Sequence, residues 1–318
     1  MPDNEALATA FENRVRKRYR HLSRWAQRER FDCFRVYDRD IPELAFAVDV
    51  YGERALLQQY LRAADAPVDT DWLEVLCDAA ARALDRPPAA VTIKLRRKLN
   101  RREDQHQPSG HDGDTIVVRE GPAKFLVNLE AYLDTGLFLD HRLTRALVRQ
   151  RAAGRRLLNL FCYTGSFSVQ AALGGACDTV SVDLSNTYLA WARRNFELNG
   201  LDPERHRLER GDVRAWLTAA AIAGERFGLI VLDPPAYSSS KKMDRTFDVQ
   251  RDHAELVLAA AELLEPEGEL LFSTNLRGFK LDAEALARLA PDDISAQTIP
   301  EDFRDQRVHR CWLLRRSG

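Results

Sequence analysis

The sequence predicts an α/β protein: a doubly wound, mostly parallel sheet in the second half, behind a smaller α+β region. Three observations carry this. From about residue 135 onward, short apolar runs alternate strictly with helical segments. Before residue 130 the order is helix, strands, helix and hairpin. The 318 residues, 45% hydrophobic and 30% charged, can fill two units with cores of their own. The expected division is 1–130 and 131–318.

In the first region, residues 5–30 read as an amphipathic helix. Phe11, Val15, Tyr19, Leu22 and Ala26 form an apolar stripe, and Arg14, Lys17, His21, Arg24 and Arg28 a basic one of the same period. Residues 31–60 alternate as strands do, with 33–37 and 44–51 the clearest runs around turn residues 38–42. Residues 71–84 are helical and stop at Pro87-Pro88. Residues 91–97 form a strand, 102–114 a polar loop, and 115–119 with 123–129 a hairpin around Glu120-Gly121-Pro122.

In the second region the strands are 157–161, 179–183, 205–210, 229–232 and 269–273. The helices between them are 166–173, 187–199, 215–223 and 251–264. Gly200 closes the second helix, and Pro266 with Gly268 stops the last. Residues 293–299 and 310–314 are expected as an antiparallel pair of late strands at one edge.

Composition narrows the function. The five cysteines are scattered and include no Cys-x-x-Cys, which points to reduced thiols in a cytoplasm. The seven histidines form no pair at ligand spacing, so no metal is expected. No apolar run approaches the ~20 residues of a membrane span, and the polar N-terminus is unlike a signal peptide. Net charge is −1, but basic residues cluster at 14–30 and 94–102. Arg14, Lys17, Arg24, Arg28, Arg96, Arg97, Lys98 and Arg101 are therefore candidates for an anionic partner.

Ligands of doubly wound sheets lie beyond the C-terminal ends of the strands. Four loops there carry polar signals. The first holds Tyr163-Thr164-Gly165, where glycine permits close backbone approach. Asp183, with Leu184 beside it, stands at the offset where nucleotide folds place a ribose-binding acid. Asp212 can accept from an adenine amino group, with Val213 beside the ring. Asp233-Pro234-Pro235-Ala236-Tyr237 ends the fourth strand as an acid on a rigid backbone, with an aromatic two residues on. A dinucleotide site would want three glycines where Tyr163–Ser168 has one. The set predicts an S-adenosylmethionine-dependent methyltransferase.

The stretches 134–142, Asn159-Leu-Phe-Cys-Tyr-Thr-Gly165, 233–238 and 247–253 resemble the C-terminal half of the bifunctional large-subunit rRNA guanine methyltransferases, as do the basic first helix and Leu22-x-x-Trp25. The resemblance implies a Rossmann-like class I domain behind an RNA-contacting region, and formation of 7-methylguanosine in domain V of 23S rRNA. It implies that Phe138, Asp140, Arg142 and the strand-end acids surround the cofactor. Asn159, Phe161, Tyr163, Thr164 and Gly165 are expected beside them. The chain begins where the other half of the fused enzyme would end, so a stand-alone form without N2 activity is expected.

The chemistry can be read independently. C5-pyrimidine methylation needs a cysteine nucleophile, and neither 233–236 nor 273–275 has one. Guanine N7 carries an in-plane lone pair and needs alignment but no general base. Asp233 can stabilise the positive charge that develops on the base. Tyr237 can stack on it and Asn275 can read its edge. Lys241, Lys242, Arg245 and Arg251 are candidates for phosphate contacts. In duplex RNA, N7 faces the deep, narrow groove, so the target guanine is expected to be unpaired or extruded. Two alternatives remain: an exocyclic-amine methyltransferase, whose aromatic usually follows the prolines directly, and a non-catalytic RNA-binding assembly factor.

Overall fold

A computed structural model describes residues 4–61, 69–97, 115–238 and 246–316. The chain divides into two compact units, Met1–Leu139 with Asp302–Arg304, and Asp140–Glu301 with Asp305–Gly318. The change of unit falls between Leu139 and Asp140 rather than at 130/131, and a second-half segment returns to the first unit.

In the first unit, α1 (Asn4–Glu29) buries Ala8, Phe11, Val15, Leu22 and Ala26, the expected stripe, with Tyr19 half-buried beside them. These residues pack on β1 (Cys33–Asp38), β2 (Phe46–Tyr51), β3 (Arg54–Leu61) and β4 (Val91–Arg97), which form one sheet in that order. Phe11 meets Tyr37 edge-on at 4.9 Å. α2 (Thr70–Leu84) is capped at its start by Asp69, whose side chain accepts from the Trp72 amide. β5 (Thr115–Glu120) and β6 (Ala123–Asn128) form the expected hairpin.

β3 falls inside the strand-like stretch 31–60 but is a separate strand that the expected runs 33–37 and 44–51 do not include. Ala55-Leu-Leu-Gln-Gln-Tyr60 has no β-branched residue, and pairing with β2 through the tight turn at Gly52 (φ 56°) and with β4 on the other side makes it a strand. Asp49 is buried and takes both the Arg35 guanidinium (2.7 and 2.9 Å) and the Gln58 amide (2.7 Å). Arg35 also binds the returning segment. Its amide donates to Asp302 at 2.9 Å, and its guanidinium lies 4.6 Å from the Phe303 ring.

In the second unit, α3 (Arg142–Arg151) leads into β7 (Arg156–Leu160), α4 (Ser166–Leu173), β8 (Asp178–Asp183), α5 (Asn186–Leu198), β9 (His206–Arg210), α6 (Val213–Ile222) and β10 (Phe227–Leu232). A two-residue pair follows, β11 (Tyr237–Ser238) with β12 (Phe247–Asp248), then α7 (Val249–Ala261) and β13 (Leu264–Thr274). The sheet runs β14-β15-β13-β10-β7-β8-β9, where β14 is Asp292–Asp293 and β15 is Arg310–Arg315. β13 through β9 are parallel, and β15 runs antiparallel to both of its neighbours, β13 and β14. Alternate residues bury on opposite faces. Leu158, Leu160, Ile230 and Leu232 pack with α6 and α7, whereas Leu157, Leu229 and Val231 pack with α3 and α4.

The late edge differs from expectation at 293–299. Only Asp292–Asp293 pairs with β15, and Ser295–Thr298 is a helical turn, α8. Asp293 Oδ1 accepts from both the Ser295 amide and hydroxyl, a side-chain turn that competes with the ladder.

Candidate active site

The order of strands reverses between β7 and β10, so a crevice is expected at their C-terminal ends. The loop after β7 is strained. Phe161 (φ 58°), Tyr163 (φ 50°) and Gly165 (φ 73°) all adopt the left-handed conformation. Three hydrogen bonds hold it: Cys162 amide to Val182 carbonyl (3.0 Å), Gly165 amide to Cys162 carbonyl (2.8 Å), and Tyr163 amide to Asp183 Oδ2 (2.9 Å). Gly165 is required for a reason besides ligand approach. A Cβ there would lie 2.9 Å from Phe196 Cε1 and 3.1 Å from Ala192 Cβ on α5.

Asp183 ends β8. Its Oδ1 accepts from the Ser185 amide at 2.8 Å, opposite the bond from Tyr163. Burial pushes its carboxyl up to about 6, against the pull of these backbone donors. Each oxygen keeps a second lone pair. The Leu184 carbonyl accepts from Arg210 at 3.5 Å. Asp212 caps α6, with Oδ1 accepting from the Arg214 (3.0 Å) and Ala215 (3.2 Å) amides. Among the described residues its Oδ2 takes no partner.

Asp233 follows β10 directly, with Pro234 buried and Pro235 half-buried. Its Oδ1 accepts from the Ser273 hydroxyl at 2.6 Å, and His141 Nε2 lies 3.6 Å from Oδ2. Tyr237, 42% exposed, stands on β11, and Asn275 is exposed just past β13.

The other expected site residues have these surroundings. Asn159 is buried and donates to Ser168, which bonds Ser181; it clamps β7 to α4 and β8. Thr164 is buried and its carbonyl accepts from Asn195. Phe161 packs toward Phe247 at 5.9 Å, and Val213 is buried in the core. Asp140 accepts from His309 Nδ1 at 3.0 Å, and Arg142 is buried at the start of α3. Phe138, 40% exposed, falls within the span of the first unit.

Sequence reasoning missed His141, His309 and Ser273. The His141 and His309 rings stack 4.4 Å apart at 10°. With Asp140 they bring ligand-type atoms within 4.8 Å of one another. The two ring planes are nearly parallel and stacked, so an ion in the plane of one ring lies out of the plane of the other. The lone signal in the sequence was Asp140-His-Arg142 itself.

The basic candidates separate. Arg14 pairs with Asp40 at 3.1 Å. Lys17, Arg20 and Arg24 line a shallow surface depression on α1 with Asn13, Arg16 and His21. Among the described residues Lys17, Arg20, Arg24 and Arg28 make no ion pair. Arg251 is committed to Asp252 (2.7 and 2.8 Å) and to the Thr246 carbonyl. Lys98, Arg101, Lys241, Lys242 and Arg245, and the side chains of Arg96 and Arg97, lie outside the described residues.

Residues 73–303 match the family described as S-adenosylmethionine-dependent methyltransferase. The chain belongs to that family. This methyltransferase is 49% identical over 321 residues to ribosomal RNA large subunit methyltransferase K of Neisseria meningitidis, covering 98% of this chain and 88% of that one. It is also 49% identical to the ribosomal RNA large subunit methyltransferase K/L of Chromohalobacter salexigens, and there spans 99% of itself but 43% of the relative. A solved methyltransferase in complex with SAH superposes with a TM-score of 0.77 at 22% identity, over 96% of this chain and 81% of the other. The methyltransferase thus has the expected cofactor class and the expected α/β fold.

Proposed function

We propose that this methyltransferase modifies N7 of a guanine in 23S ribosomal RNA. The observation that carries the chemistry is Asp233, an acid beside a rigid Pro-Pro backbone with no lysine or arginine paired to it among the described residues. The names of the relatives support the ribosomal RNA substrate.

The residues present suit the cofactor. Asp183 is fixed by backbone donors and keeps lone pairs for two ribose hydroxyls. Asp212 keeps Oδ2 for an amino group. When bound, S-adenosylmethionine supplies an electrophilic methyl group on a sulfonium.

The chain's own residues need not remove a proton, because N7 has a free lone pair. Their task is to orient the base and face its developing charge. Asp233 provides the facing carboxylate, Pro234 and Pro235 fix its backbone, and the exposed Tyr237 ring is the candidate to stack on the base. Asn275 is exposed at the next strand end for a base edge. A thiol route is disfavoured. The buried Cys162 and Cys311 thiols are pushed well up by burial, so neither supplies a thiolate. Lys17, Arg24 and Arg28 on α1, which make no ion pair among the described residues, suit the RNA backbone as phosphate contacts.

The test is incubation with labelled S-adenosylmethionine and protein-free 23S rRNA, followed by nucleoside mass spectrometry. 7-Methylguanosine is expected. N2-methylguanosine or methylated adenosine would overturn the N7 assignment, and no product on any rRNA form would overturn the enzyme reading. A target guanine locked in a stable duplex should be methylated more slowly than an unpaired one.

A further inference from the structure

Asp233 is held from two sides by residues that are far apart in the chain. Ser273, buried on β13, donates to Oδ1 at 2.6 Å. The ring of His141, at the start of α3, comes within 3.6 Å of Oδ2. That is longer than a formed hydrogen bond, but such contacts at active sites tighten when the site fills.

Building on the reading of Asp233 as the carboxylate facing the base, we propose that His141 is a positioning residue that, with Ser273, aims the Asp233 carboxylate toward the transfer site.

The surroundings of the ring support this role. His141 is buried, stacked on His309 and edge-on to Phe167 at 5.7 Å. Its Nδ1 lies 3.4 Å from Thr144 Oγ1. A hydroxyl donating to Nδ1 leaves the ring proton on Nε2, the nitrogen that faces Asp233. The charged and titratable groups around it are Asp233 after β10, Asp140 before α3, His309 before β15 and Arg145 on α3. Asp140 Oδ2 is already the acceptor for His309 Nδ1, and lies 3.9 Å from His141 Nε2.

Burial disfavours the imidazolium, as do His309 and Arg145, while Asp233 and Asp140 favour it; the balance holds His141 below the ordinary histidine range. A neutral donor orients a carboxylate without cancelling its charge. A protonated His141 would neutralise the anion that the developing charge on the base requires. The device therefore operates at neutral pH and fails in acid.

The test has two arms. In the first, the His141 ring is titrated by NMR in the purified protein, assigned by its loss in His141→Gln. Asp233→Asn should move that titration to lower pH by about half a unit or more, because a carboxylate favouring the charged ring is gone. An unmoved titration overturns the proposal whatever the enzyme's substrate.

In the second arm, kcat is followed against pH at saturating cofactor. His141→Ala should lower kcat by about 100-fold with KM for cofactor nearly unchanged. His141→Gln, a neutral donor that does not titrate, should restore much of kcat and remove the acid limb of the profile. Equal losses in both variants, or an acid limb that survives in His141→Gln, overturn it. If wild type makes no 7-methylguanosine, the substrate reading fails while the NMR arm still decides the pairing.

Discussion

The two ends of the parallel sheet treat acids in opposite ways. At the N-terminal end, buried Glu269 is surrounded by Arg151 (2.6 Å), Arg155 (2.9 Å) and Arg315 (3.1 Å). Nearby, Arg156 bridges Asp178 at 2.9 Å and Glu225 at 3.0 Å. At the C-terminal end, Asp183 and Asp212 accept from backbone amides, and Asp233 accepts from a hydroxyl with a histidine ring 3.6 Å away. None of the three pairs with lysine or arginine among the described residues. A neutralised acid ties elements together. An acid held by neutral donors keeps lone pairs for something outside the chain.

Substitutions at the two ends should separate activity from stability. The largest effect is expected at Asp233. Asp233→Ala should lower the methylation rate by about 100- to 1,000-fold, with the melting temperature nearly unchanged. Initial rates with calorimetric scans would check this, and a parallel loss of stability would break the contrast.

Asp183→Ala should weaken S-adenosylmethionine binding by about 2–3 kcal/mol in isothermal calorimetry, the value of hydrogen bonds to a charged acceptor. The pH dependence has a definite sign. Because burial raises the Asp183 carboxyl to about 6, wild-type affinity should fall as pH drops through that value. Asp183→Asn should bind weakly and without that dependence. Stability of the cofactor-free protein moves the other way. A carboxyl raised by folding contributes most below its unfolded pKa and loses that contribution as pH rises toward 6.

At the opposite end, Glu269→Gln should cost about 2 kcal/mol in urea unfolding, less than a fully buried pair because the arginines are partly in water. The folded fraction should keep its kcat. Burial alone would raise the Glu269 carboxyl, but Arg151, Arg155 and Arg315 hold it below its ordinary range. Its contribution is therefore present above the ordinary glutamate pKa and is lost as pH falls through the depressed value. Stability measured between pH 3 and 6 should show that loss in the wild type and not in the variant.

The α1 face offers a smaller contrast. Lys17→Glu with Arg24→Glu should weaken RNA binding by about tenfold and flatten its salt dependence, leaving cofactor affinity intact. Arg251→Ala should change RNA affinity less than about twofold, because that guanidinium already serves Asp252.

Much of this was legible in the sequence because the information is local. The β-α alternation, the α1 stripe, and the acids at the ends of β8, β9 and β10 each lie within one short window. Periodicity and strand-end position fix such features without knowledge of the fold. Residues 293–299 misled because a single Asx turn at Asp293 outweighed their strand propensity. β3 did not stand out as a separate strand because its strand character comes from its neighbours.

The sequence alone therefore determined the fold class, the cofactor class and which acids stand at strand ends. Tertiary structure decided which acids are neutralised. Asp183 and Glu269 are both carboxylates on strands of one sheet, and nothing in their local sequence says that one meets backbone amides and the other three guanidinium groups. It also decided that Asn159 is a buried clamp and that His141 faces Asp233 beside His309. The pairings of Asp183 with Tyr163, of Glu269 with its arginines and of His141 with Asp233 and His309 join residues 20 to more than a hundred positions apart, and only the closure of the sheet brings them within reach of one another.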